Sequence, residues 1–180
     1  MVTKTGRRMS LDEFLALPEE KPYLELIDGD VCQKPMGKKR HSRAQSRLLY
    51  VLERHDATNS GDAFVELTLP ICGSGRANAR IPDVSYYRSG RSGDPNEDYP
   101  KELPDLVAEV RSEGQTVAAI ESRLAFLREH GEPVTLLIDP ETKTVTVHDG
   151  DRSWVAIPGE RVTIETLDGF DFEVDALFEP

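Results

Sequence analysis

Apolar side chains recur along this chain with two different periods, every second residue in some stretches and every third or fourth in others, and the changes of period mark out its elements. Ser10-Leu11-Asp12-Glu13 has the S-x-x-E form of a capping box ahead of Phe14, Leu15 and Leu17, which predicts a short helix ending at Pro18. Tyr23-Leu24-Glu25-Leu26-Ile27 reads as a strand, Asp28-Gly29-Asp30 as a turn, and Val31-Cys32-Gln33-Lys34 as the returning half of a hairpin that would open the sheet. Ser42-Arg43-Ala44-Gln45 is read as a second capping box. Ala44, Leu48, Val51 and Leu52 then keep helical spacing to about His55.

After Gly61-Asp62, the run Ala63 to Ile71 reads as one strand. Gly73-Ser74-Gly75 turns the chain toward a second run, Ala79 to Tyr87, and the two look like sequential antiparallel strands. A polar loop from Ser89 to Pro100 separates these from the strand Leu106-Val107-Ala108-Glu109-Val110. Thr116 is placed to cap a helix over Val117 to His130, with Ile120, Leu124 and Leu127 on one face and Gly131 to stop it. Val134 to Ile138 follows as a buried strand. Asp139 to Lys143 turns it into Thr144 to His148, and Trp154 to Ile157 extends an antiparallel meander.

Composition narrows the class. The 180 residues fit one domain with a core that needs no disulfides, and no stretch approaches the roughly 18 apolar residues of a membrane span. The N-terminal Met1 to Met9 is charged with no apolar segment behind it, so no secretory signal is expected and a cytoplasmic location follows by default. Cys32 and Cys72 lack metal or redox spacing and read as reduced thiols. The formal net charge of -11 opposes a nucleic-acid role at first sight, but it is unevenly spread. Residues 1 to 60 carry 11 basic and 9 acidic side chains, whereas residues 131 to 180 carry 3 and 12. The basic run Lys38-Lys39-Arg40-His41-Ser42-Arg43, with Arg47, has no acid in it and suits phosphate contact; a solvated charged face is the commoner explanation of such a run.

Two carboxylates carry the candidate chemistry. Asp83 and Glu109 each lie at the end of a run that reads as a buried strand, and carboxylates in such places need a partner, a metal or a solvent-filled cleft. On neighbouring strands they would form a divalent-cation site, with the Val110 carbonyl as a third ligand, because Mg²⁺ prefers oxygen ligands and keeps several waters. Such a cation lowers the pKa of a bound water and offsets charge developing on a phosphodiester. The plainer readings are that Pro82-Asp83 ends a strand and caps a turn, and that strand alternation points Glu109 at solvent. Histidines 41, 55, 130 and 148 form no i, i+4 pair and give a zinc site little support. Gly73-Ser74-Gly75 lacks the flanks of a nucleophile elbow or phosphate loop.

The ordered segments Tyr23 to Asp30, Ile81-Pro82-Asp83-Val84, Pro104 to Val110 and Leu137-Ile138-Asp139-Pro140 resemble the signature of the Uma-type restriction endonuclease family, within the PD-(D/E)XK nuclease superfamily. The resemblance spans roughly residues 10 to 150. It implies an α/β (α+β) fold, a restriction-endonuclease-like mixed sheet flanked by helices, here with the antiparallel C-terminal meander and an acidic extension over 151 to 180. It further implies Mg²⁺ or Mn²⁺ at Asp83 and Glu109, an auxiliary carboxylate at Glu25, and hydrolysis of phosphodiester bonds in DNA by a homodimer.

The family pattern also has a lysine that orients or activates the attacking water. Here the two positions where it is expected hold Arg111 and Arg123, which stay protonated and can stabilise a phosphate by forked hydrogen bonds but cannot act as bases. Each arginine has a plainer reading: Arg111 as a partner of Glu113 or another acid, Arg123 as a solvated helix residue near Glu121. A salt bridge to a nearby lysine or arginine would equally account for Glu25. The sequence therefore carries two functional readings, a Mg²⁺-dependent endonuclease and a nuclease-fold relative without turnover that serves as a binding or regulatory module.

Overall fold

The computed structural model describes residues 8–55, 61–73 and 75–179. Residues 1–7, on which much of the expectation about the N-terminal segment rests, and Ser74 of the Gly73-Ser74-Gly75 turn lie outside the described residues.

The chain opens with α1 (Leu11–Leu15), where the Ser10 hydroxyl accepts from the Glu13 N–H and the Glu13 carboxylate accepts from the Ser10 N–H, closing the capping box. β1 (Leu24–Ile27) and β2 (Asp30–Gln33) form the expected hairpin. Asp28 and Gly29 both adopt positive φ in its turn, the conformation two-residue hairpin loops demand. α2 (Lys39–His55) follows, then β3 (Asp62–Val65), β4 (Leu69–Ile71), β5 (Asn78–Arg80), β6 (Val84–Tyr87) and β7 (Leu106–Val110). Thr116 caps α3 (Val117–Glu129) through the Ala119 N–H, ahead of β8 (Val134–Asp139), β9 (Thr144–Asp149), β10 (Arg152–Ala156), β11 (Arg161–Ile164) and β12 (Phe170–Glu173).

The strands form a six-stranded sheet in the order β10-β9-β8-β7-β6-β3, a four-stranded sheet β2-β1-β5-β4, and the β11-β12 hairpin. In the six-stranded sheet β7 and β8 pair parallel, as they must when α3 carries the chain across between them, and the other pairs are antiparallel. The fold is thus the expected mixed sheet flanked by helices, closed by antiparallel C-terminal strands.

Alternation sorts the core. Leu106, Ala108 and Val110 of β7 face one side with Leu136 and Ile138 of β8, where Ala44, Leu48 and Leu52 of α2 pack with them. Val107 and Leu137 face the other side, under Ile120, Leu124 and Leu127 of α3. Glu109, in register with Leu137 and two residues from Val107, therefore points to the α3 side and not to solvent. The C-terminal residues Val162, Ile164, Phe170, Phe172, Val174 and Leu177 join the α2-side core, so the described part of the acidic extension, residues 151 to 179, packs onto the domain despite its acidity.

Three sequence expectations are corrected. α2 starts at Lys39, so Ser42 is a residue inside the first turn and not its cap. Ala63 to Ile71 is not one strand: β3 lies in the larger sheet and β4 in the smaller, with Glu66 between them at φ 54°. The run Ala79 to Tyr87 is likewise broken, β5 in the small sheet and β6 in the large one.

These two breaks are one feature. Val65 pairs with Val84 and Leu69 with Arg80, so the two runs form a single long hairpin bent in its middle. Pro82 has no N–H to give a ladder and Glu66 takes a left-handed conformation, so pairing lapses on both strands at the same level. The Glu66 N–H still reaches the Asp83 carbonyl at 3.3 Å across the bend. Asp83 sits at that corner, between strands and not within one.

A carboxylate cluster at the bend of the hairpin

The bend places the Asp83 side chain against the end of β7. Its Oδ2 accepts from the Val110 N–H at 2.7 Å and lies 2.9 Å from His41 Nε2, and its Oδ1 accepts from Lys34 Nζ at 2.6 Å. The backbone carbonyl of Asp83 accepts from Gln45 Nε2 at 2.8 Å, which ties the corner to α2. Asp83 is 1% exposed, so this array of donors replaces water completely. Burial alone would raise its pKa, but the His41 hydrogen bond and the Lys34 charge outweigh it and hold the carboxyl far below the usual range.

The residue next to that Val110 N–H is Glu109. Arg123, projecting from α3, donates from Nη2 to Glu109 Oε1 at 2.8 Å and from Nε at 3.2 Å. The same guanidinium binds Glu25 of β1 in a fork, Nη1 to Oε2 at 2.6 Å and Nη2 to Oε1 at 2.8 Å. Glu25 Oε1 also accepts from the Ile81 N–H at 2.9 Å, so β1 and the hairpin bend share this carboxylate. Burial pushes the Glu109 pKa up to about 7 against the pull of Arg123, with the Asp83 charge adding to the rise. Glu25 is lowered overall: burial raises it, and Arg123 more than offsets that.

Four of the sequence candidates, Glu25, Asp83, Glu109 and Arg123, thus fall in one largely buried cluster, together with the Val110 peptide. The N–H and C=O of a strand residue leave on the same side, so the Val110 carbonyl faces the Asp83 edge of β7. Arg111 is placed apart from the cluster. Its Nη1 donates to Asp139 Oδ2 at 2.7 Å, its Nη2 lies 2.8 Å from Glu141, and Glu113 instead meets Lys38 at 2.6 Å.

Sequence reading missed Lys34, His41 and Arg80. Lys34 and His41 are 6% exposed, and Arg80, 7% exposed, stacks over the Phe126 ring at 4.5 Å in the field of Glu25. His41 carried a signal: it stands three, seven and eleven residues before Ala44, Leu48 and Leu52, on the buried stripe of α2. Lys34 carried none, because it follows a short half-exposed strand with no firm alternation.

Chemically, the cluster sets three carboxylates (Glu25, Asp83, Glu109) against three cationic side chains (Lys34, Arg80, Arg123). Its acceptors are oxygens, the donor set of a hard divalent cation, and an ammonium already rests on Asp83. Among the described residues no group of three or more His, Cys, Asp or Glu side chains forms a ready cage, so two carboxylates, a carbonyl and waters are what the pocket can offer. A groove of about 510 Å³ leads up to His41, with Lys38, Lys39, Arg40 and Arg111 along it beside Glu113, Asp139 and Glu141. Lys38, Lys39, Arg40 and Arg43 are exposed at the start of α2.

The family model for Uma2, described as "Putative restriction endonuclease", matches residues 11–175. The chain belongs to the Uma2 family. A crystal structure of a putative nuclease belonging to DUF820 from Anabaena variabilis ATCC 29413 superposes with a TM-score of 0.82 at 27% identity, covering 94% of this chain and 97% of that one. A cryo-EM structure of a DrdV–DNA complex aligns over 78% of this chain and 14% of its own, at 12% identity and a TM-score of 0.43. A search of curated proteins found no match. The Uma2 match embraces the whole cluster, from Glu25 on β1 to Arg123 on α3. No helix among the described residues is long and apolar enough to cross a membrane.

Proposed function

We propose that this Uma2 chain is a divalent-cation-dependent endonuclease that hydrolyses phosphodiester bonds in DNA. The observation that supports it most is the meeting of Asp83 and Glu109 around the Val110 peptide in a pocket that already attracts a cationic head group. Asp83, Glu109 and the Val110 carbonyl would hold Mg²⁺ or Mn²⁺. When bound, the cation supplies Lewis acidity at a phosphate oxygen and a water of lowered pKa. The chain's own residues do the rest. Arg123, held by the fork to Glu25, keeps a guanidinium fixed beside Glu109, where it can share the negative charge of the phosphorane without reorganising. Lys38, Lys39 and Arg40 line the approach and, with the exposed Arg43 beside them on α2, bind backbone phosphates. Cutting both strands of a duplex needs two such centres, which a homodimer provides.

One observation favours the second reading, a relative without turnover that binds or regulates. Lys34 already rests on Asp83 and Arg123 on Glu25 and Glu109, so a metal enters only by displacing one of these cations. Incubation of supercoiled plasmid with the protein in Mg²⁺ or Mn²⁺, beside EDTA and Glu109→Gln controls, separates the two. The endonuclease reading expects nicked and linear DNA with wild type alone and only with metal. Uncut plasmid in every lane, or cutting that survives both controls, overturns it.

A further inference from the structure

The two arginines at the family's lysine positions are both held by carboxylates. Arg111 is bound to Asp139 and Glu141, and Arg123 is forked onto Glu25 while also gripping Glu109. The ammonium that does reach the metal-ligand candidates comes from a third place in the chain. Lys34, one residue beyond β2, is anchored by its N–H to the Tyr23 carbonyl at 2.7 Å, and its Nζ lies 2.6 Å from Asp83 Oδ1. It is buried, and its charge also acts on Glu109 and Glu25. Burial opposes the charged form, but the surrounding carboxylates outweigh it, so the group stays an ammonium.

Resting on the endonuclease reading of this pocket, we propose that Lys34 is an internal counter-ion: its ammonium neutralises Asp83 in the metal-free protein, yields that oxygen to an entering divalent cation, and then faces the scissile phosphate. A lysine suits this exchange better than an arginine. It is a compact point charge on a flexible stem with rotatable donors, whereas a guanidinium forked onto a carboxylate has one fixed geometry to lose. After displacement Asp83 retains its other oxygen contacts, the Val110 N–H and His41, so the carboxylate keeps its aim while its partner changes. The released ammonium is confined near the site by the backbone anchor at Lys34 and would add a mobile positive charge to the fixed guanidinium of Arg123.

Two opposite effects follow from removing this charge, a pairing that a purely structural lysine would not give. Mn²⁺ titrations by calorimetry on metal-free wild type, Lys34→Met and Lys34→Gln, with plasmid cleavage in parallel and circular dichroism to confirm folding, test it. Loss of a competing unit charge within contact distance should tighten Mn²⁺ binding by at least about tenfold while cleavage falls below that of wild type. The Gln variant keeps a donor for Asp83, so it retains the fold should the Met variant lose it. If wild type binds Mn²⁺ and both folded variants bind it equally or more weakly, the counter-ion role is wrong and the endonuclease reading stands. Variants that bind Mn²⁺ where wild type does not support the counter-ion role and contradict wild-type turnover. If none of the three binds, both fall.

Discussion

Asp83 takes donors from three elements: Lys34 beyond β2, His41 on α2 and the Val110 peptide of β7. Because the group is buried, this arrangement decides stability as well as chemistry. Asp83→Ala leaves a buried ammonium and a strand N–H without their acceptor, which should cost about 3–5 kcal/mol in urea unfolding of the metal-free protein. An unchanged midpoint would mean that the cluster contributes nothing to the fold. At this scale the sequence revealed the carboxylates and one arginine through their order in a family pattern, but not the groups that surround them. His41 was hidden by its basic neighbours, although its spacing to Ala44 and Leu48 put it on the buried face. Lys34 and Arg80 were invisible because long charged side chains reach inward only where a partner waits, Asp83 for Lys34 and Asn78 with the Phe126 ring for Arg80, a fact of tertiary structure.

The bend in the long hairpin is the element on which the site depends. From Asp62 to Ile71 and from Asn78 to Tyr87 the strands continue one another, yet each passes from one sheet to the other at Glu66–Thr68 and Ile81–Asp83. Pro82 was the available signal for this break; nothing in Ala63 to Ile71 announced that Glu66 would turn left-handed. The start of α2 also differs from its sequence signal. An S-x-x-Q pattern at Ser42 suggested a cap, whereas three basic residues earlier the helix had already begun. The loop before it has its own constraint. A Cβ on Gly37 would lie 2.2 Å from His41 Nδ1, so this glycine exists to let the imidazole lie against the backbone on its way to Asp83. Gly37→Ala should therefore destabilise the protein by about 1–3 kcal/mol and weaken cleavage by shifting His41. Wild-type stability in the variant would show that the loop moves freely away from the ring.

Over the whole molecule, acidity and core are interleaved. The segment that carries most of the negative charge also supplies Phe170, Phe172, Val174 and Leu177 to the α2-side core, an arrangement that local alternation in β12 makes readable only in retrospect. The architecture was more legible than the site, since periodicity reports which face is buried but not which charged groups meet across it. A buried acid remote from the cluster, Glu132, gives the whole fold a pH dependence. Burial pushes its pKa well above the ordinary 4.5, so folding favours its neutral form. Its contribution is fully present below pH 4.5 and is lost as pH rises through the elevated folded value. Glu132→Gln, neutral at every pH, should match wild type in acid and exceed it increasingly from pH 5 to 8 in urea unfolding. Parallel pH profiles for the two proteins would contradict this.

Crystals of the wild-type protein soaked in Mn²⁺ and measured at the manganese absorption edge locate the ion directly by its anomalous scattering. One peak is expected between the carboxylates of Asp83 and Glu109, in contact with the Val110 carbonyl, with Lys34 withdrawn from Asp83. Density without manganese there, with Lys34 still bonded to Asp83 Oδ1, would contradict it.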